Sequence, residues 1–218
     1  MSILNKIQRI KFSDNQFVKE ETDKKQIVLH HTVSGDNIQA IANYWNQNKV
    51  RVATCIIISR DGTPYQLFSS KYWAYHLGVK KQKFTNRGLE YVPLDKHSIG
   101  IEIANWGGLI KKDGKFYNCY AGEVDKSSVY TFDNGFRQFK YYEKYTPAQI
   151  QTVKELCEYW HIRYNIPLQY SEQDMWNVSD KALSMYSGIF SHTSYRKDKT
   201  DICPQPLITS MLRGLNDY

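Results

Sequence analysis

Residues 26–32 read QIVLHHT: an apolar run, Ile27–Val28–Leu29, that ends in two adjacent imidazoles, His30 and His31. The β-branched and leucine content predicts a buried strand, and the turn-formers Thr32, Ser34 and Gly35 stop it. Side chains alternate along a strand, so His30 and His31 point to opposite faces and only one of them serves any given site. Downstream, Ile38, Ile41, Ala42 and Trp45 recur at helical spacing, with Ser34 or Asp36 as the expected cap. ATCIIISRDGTPYQLF (53–68) reads as a hairpin turning at Asp61–Gly62. HSIGIEIAN (97–105) is a further apolar strand with a single carboxylate, Glu102, inside it.

The clearest helix is TPAQIQTVKELCEYWHIRYN (146–165): Thr146 caps it, Pro147 takes its first position, and Ile150, Val153, Leu156, Cys157 and Trp160 form its buried stripe. A last helix is expected around LITSMLRGL (207–215). Interleaved strands and helices predict a single α/β domain, a central mixed β-sheet flanked by helices, over residues 25–218. Residues 1–24 read as a polar lead-in. The stretch 107–145, with KKDGK as a turn and the rest irregular or in short strands, is too long for an ordinary connection and is read as a functional insertion or flap.

Composition narrows the function classes. The 218 residues are 41% hydrophobic and 23% charged, as in a soluble globular protein, and no apolar stretch nears the roughly 20 residues of a membrane span. The N-terminus has no apolar secretory core, so synthesis in the cytoplasm is expected, with a separate release route if the protein works outside the cell. A net charge of +7 favours polyanionic partners or simply solubility. There is no polybasic block and no nucleic-acid-binding signature. Cys55, Cys119, Cys157 and Cys203 form no CxxC pair, which argues against a disulfide framework or zinc ribbon.

Of six histidines, His161 sits beside Trp160 on the long helix and reads as structural; His97 reads as a surface residue. A hydrolytic zinc site needs three protein ligands and an open position, and no HExxH-like pair is present. Any ligands must come from distant segments, and LHHT (29–32) and SHTSYRKDKTDICPQP (191–206) are the two that stand out.

Taken in order, IVLHHT, IIISRDGTPYQLF, AYHLG, HSIGIEIAN, YTPAQIQTVKELC and a histidine followed by DKTDICP resemble the zinc-dependent N-acetylmuramoyl-L-alanine amidases of the amidase-2 and peptidoglycan-recognition type. The resemblance implies Zn2+ as cofactor, His30 and His192 as ligands, and a third ligand at either Asp201 or Cys203. One branch of the family ends in Lys-x-Cys-Pro, the other in Lys-Thr-Asp-x-x-Pro, and KTDICP accommodates both. The Cys branch uses a tyrosine before the hairpin, where this chain has Thr54; the Asp branch uses a glutamate in the SIGIE strand, which is Glu102 here. The resemblance therefore favours Asp201, with Cys203 structural. It further implies Glu102 as general base, Lys199 as stabiliser of the oxyanion, and His76, Asn105 and Trp106 as substrate contacts. The implied partner is peptidoglycan or a muropeptide, without nucleic acid or integral membrane contact, on a monomer. The expected role is that of a phage or prophage endolysin released onto the wall. Two alternatives stand beside it: a cytoplasmic muropeptide-recycling amidase and a non-catalytic recognition module.

Overall fold

The computed structural model describes residues 2–216. Its centre is a six-stranded mixed sheet made of β1 (Gln8–Arg9), β2 (Gln26–His31), β3 (Ile56–Ile58), β4 (Pro64–Gln66), β5 (Ser98–Ile103) and β11 (Gly188–Ser191), in the order β1-β4-β3-β5-β2-β11. β2 runs parallel to both neighbours, β5 and β11, while β3 and β4 form the antiparallel hairpin around Asp61–Gly62. QIVLHH is buried along its whole length, as its apolar content predicts for a strand covered on both faces.

The two faces of this sheet do different work. Ile27, Leu29, Ile99, Ile101, Ile103 and Ile189 turn to the main core, which is closed by α1 (Ile38–Asn46), α4 (Pro147–Tyr164) and α7 (Pro206–Leu215). On α4 the expected stripe Ile150, Val153, Leu156, Cys157 and Trp160 is buried, and Thr146 and Gln149 form a reciprocal capping box. The opposite face, with Val28 and Phe190, packs a smaller core against Leu77, Phe84, Leu94, Leu183 and Tyr195. The short helices α2 (Lys81–Thr85), α3 (Leu94–His97), α5 (Glu172–Trp176) and α6 (Asp180–Leu183) complete the set. None of the described helices is long and apolar enough to cross a membrane.

Three expectations change. The cap of α1 is Asn37, whose side chain accepts from Ala40 N, because Asp36 is occupied in accepting from Arg60 N. The described part of the lead-in, residues 2–24, packs on the domain: β1 extends the sheet beside β4, and Phe12 and Phe17 are buried in the main core. The 107–145 stretch is an ordered antiparallel sheet of β6 (Gly108–Lys112), β7 (Lys115–Tyr117), β8 (Glu123–Val124), β9 (Val129–Phe136) and β10 (Phe139–Glu143), in the order β8-β7-β6-β10-β9. Asp113 and Gly114 both take positive φ (49° and 79°) at the β6–β7 hairpin, the geometry that a two-residue primed turn requires.

Candidate metal centre and active site

Strand register assembles the site at the carboxyl ends of the parallel strands. His30 on β2 pairs with Glu102 on β5, so the two side chains emerge side by side on one face. Ser191 on β11 pairs with Leu29, which leaves His192, the next residue, level with His30. His192 opens a short 3-10 turn held by hydroxyls: Ser191, Thr193 and Ser194 all donate to the Met175 carbonyl, at 2.5, 2.8 and 3.1 Å. From the loop after this turn Asp201 reaches the same point.

His30 Nδ1 and His192 Nδ1 lie 3.0 Å apart, and Asp201 Oδ2 lies 3.1 Å from the first and 2.9 Å from the second. All three residues are buried. The protons on the two rings follow from their outer partners. His192 Nε2 faces the Leu77 carbonyl at 3.0 Å; a carbonyl only accepts, so Nε2 carries a hydrogen, which leaves Nδ1 as the lone pair whenever the ring is neutral. For His30 the chain is longer. Ser98 Oγ donates to the Leu94 carbonyl and accepts from His76 Nε2, at 2.9 and 2.8 Å; His76 Nδ1 then accepts from His30 Nε2 at 2.9 Å, which leaves His30 Nδ1 bare. Burial pushes the His30 imidazole down to about 3, against the opposing pull of Asp201, so the ring is neutral at ordinary pH.

With both rings neutral, two imidazole lone pairs and a carboxylate oxygen converge on one point. Such an arrangement calls for a cation. Zinc at about 2.0–2.1 Å from tetrahedral N and O ligands sets those ligands about 3.3 Å apart, close to the spacing found, and the N2O donor set with one open position is that of a hydrolytic site. The residues present fit zinc.

Glu102 Oε2 is buried and has no hydrogen-bond partner among the described residues. Burial raises its carboxyl well above the usual range; the nearby Asp201 charge adds to the rise and Lys199 opposes it. The Lys199 charge thus acts on this carboxylate from a half-buried position on the loop that carries Asp201.

Cys203 stands apart from the ligand atoms. Its sulfur accepts from Gln205 Nε2 at 3.4 Å and faces the Tyr145 hydroxyl at 3.7 Å, and burial pushes the thiol up to about 12. Tyr145 also contacts His31 Nδ1 at 3.0 Å. His31 does lie on the other face from His30, but it is buried against Gly107 and Tyr145 and does not look outward.

The expected substrate contacts divide. The His76 side chain is 5% exposed and lies behind His30, not along an open cleft. Asn105 is buried and committed to the fold: its Nδ2 donates to the Glu143 and Lys144 carbonyls and its Oδ1 accepts from Gly107 N. Both side chains already satisfy neighbouring buried polar groups. Trp106 alone faces open space, lining a hollow of about 520 Å³ with Tyr44, Trp45 and Tyr120. The role of His76 had a signal in Gly100, a strand glycine in SIGIE: a Cβ there would meet Thr54 Cγ2 at 2.5 Å and His76 Nδ1 at 3.1 Å.

The family described as N-acetylmuramoyl-L-alanine amidase matches residues 20–206. The chain belongs to this family. Its members are amidases acting on peptidoglycan, and that is the activity of this protein. Solved structures share the fold. The N-acetylmuramoyl-L-alanine amidase LysC from Clostridium intestinale URNW superposes with a TM-score of 0.52 at 14% identity, over 96% of this chain and 97% of its own. A mutant endolysin from Bacillus subtilis gives 0.54 at 15%, over 96% and 97%. The E. coli amidase AmiD, in complex with the substrate anhydro-N-acetylmuramic acid-L-Ala-D-gamma-Glu-L-Lys, gives 0.51 at 17%, over 90% and 59%. Among curated proteins none matches the chain in sequence.

Proposed function

We propose that this amidase is a single-zinc enzyme in which His30 Nδ1, His192 Nδ1 and Asp201 Oδ2 hold the metal, Glu102 moves the proton and Lys199 answers the oxyanion. The observation that carries the reading is the convergence of two imidazole nitrogens and a carboxylate oxygen within 3.1 Å of one another, beside a carboxylate whose Oε2 has no other partner. Bound zinc supplies Lewis acidity, polarising a carbonyl and lowering the pKa of water toward about 7. Glu102 takes the proton of the attacking water as its oxygen bonds to the lactyl carbonyl carbon. It returns that proton to the L-alanine nitrogen as the C–N bond breaks. Lys199 Nζ donates to the carbonyl oxygen as negative charge builds there. Trp106, at the mouth of the aromatic hollow, is read as a contact for the substrate's sugar or peptide.

The substrate is read as intact wall, with the protein acting as a monomeric phage or prophage endolysin after release from the cytoplasm, and the 107–145 sheet as an insertion on the catalytic domain. The net charge of +7 supports approach to an anionic polymer. The presence of Asp201 in the ligand set supports the second reading, a recycling enzyme for soluble muropeptides. Turbidity loss of purified murein, set against release of stem peptide from a soluble anhydro-muropeptide, separates the two. Full activity after exhaustive chelation would refute the zinc mechanism.

A further inference from the structure

One dipeptide touches both histidines of the metal centre from behind. His76 Nδ1 accepts from His30 Nε2 at 2.9 Å, and the carbonyl of the next residue, Leu77, accepts from His192 Nε2 at 3.0 Å. The backbone of the pair is fixed in turn: His76 N and Leu77 N both donate to Asp95 Oδ1, at 2.8 and 2.9 Å. The far nitrogen of the His76 ring is tied down by Ser98, whose single hydrogen goes to Leu94 O. Every contact in this set has one donor and one acceptor, and with neutral rings one assignment of protons satisfies all of them.

We infer that His76–Leu77 is the outer support of the metal centre, holding both ligand rings with their Nδ1 lone pairs inward, and that Asp95 anchors it. The inference rests on the zinc reading proposed above for His30, His192 and Asp201. His76 and Asp95 are positioning residues: neither touches the three ligand atoms or the Glu102 carboxylate. A ring free to shift its proton to Nδ1 would first have to give that proton up before it could bind metal. Outer partners that fix the tautomer of a ligand histidine are typically worth 10–100-fold in metal affinity. Gly100 supplies the space, since a Cβ there would collide with Thr54 Cγ2 at 2.5 Å and crowd His76 Nδ1 at 3.1 Å.

The test uses the full chain as wild type, His76→Ala, His76→Asn and Asp95→Ala. Zinc dissociation constants come from competition with a chromophoric chelator, and nitrogen NMR of labelled histidine rings in the metal-free wild type reads the tautomers. The expected result is a 10–100-fold weaker zinc constant for His76→Ala and for Asp95→Ala, with His76→Asn, whose Oδ1 can still accept from His30, within about threefold of wild type. In the metal-free wild type the hydrogens of both His30 and His192 are expected on Nε2. Zinc affinity of His76→Ala within threefold of wild type, a His76→Asn loss as large as that of His76→Ala, or hydrogens on Nδ1 in the wild type would each overturn the inference. A wild type that binds no zinc would refute the metal reading, and the NMR result would still decide the tautomers and with them the role of the support.

Discussion

Glu102 is the residue at which chemistry and stability are expected to part. Its Oε2 is buried without a partner, so the fold loses no hydrogen bond at that oxygen if the carboxyl is removed. Repulsion from Asp201 weighs more on it than attraction from Lys199. Glu102→Met keeps an unbranched side chain of similar size, lifts the cost of one unsatisfied buried polar group, about 1–3 kcal/mol, and relieves the repulsion. For a chain of this length that is a rise in melting temperature of about 2–12 °C. The same change removes the proposed proton carrier, worth about 10²–10⁴ in rate. Calorimetric melts of the metal-free proteins and stem-peptide release by the zinc-loaded ones measure the two effects separately. A variant that melts lower than wild type, or one that keeps more than a tenth of the activity, would refute the placement of this carboxyl as an unpartnered catalytic group.

The remaining expectations concern the ligands, the lysine and pH. Asp201→Ala should lose the zinc-dependent gain in stability, about 2.7 kcal/mol at free zinc a hundredfold above the dissociation constant, whereas Cys203→Ala should keep it; melts with and without zinc decide. Lys199→Met should lower kcat about 10²–10³-fold with the zinc constant almost unchanged, since the lysine answers the oxyanion and not the metal. Burial lowers His30 to about 3 and His31 and His76 to about 4, while the unfolded rings protonate near about 6.5. The unfolded chain therefore binds more protons between those values, and stability present above about pH 6.5 falls toward pH 4 by up to about 1.4 kcal/mol per unit per ring. Glu102, shifted upward, offsets part of this fall. Urea denaturation midpoints at pH 7, 6 and 5 should decline, and a flat series would contradict the burial of three neutral rings.

What the sequence determined by itself was whatever depends on neighbours along the chain. The apolar run of QIVLHH, the capping box at Thr146 and the stripe of α4 are local periodicities and caps, and each is found as its spacing predicts. Strand alternation separated His30 from His31, and the resemblance to the amidase family is what proposed His192, Glu102 and Lys199. Short strands were expected in 107–145, but their pairing into a sheet of their own is a matter of contacts between strands, and the lead-in's strand was hidden because two residues have no period to read.

Tertiary structure decided everything that depends on register between distant strands. Asp201 and Cys203 are two residues apart, and the resemblance favoured Asp201; it is the path of the loop that sends the carboxylate to the histidines and the thiol to Tyr145 and Gln205. Likewise nothing within AYHLG separates a histidine that meets substrate from one that braces a ligand. That choice is made by Gly100, Ser98 and Asp95, residues 18 or more positions away, which meet His76 only once the sheet has formed. A hydrogen bond is specified by the positions of two groups in space, and a sequence gives positions only along the chain.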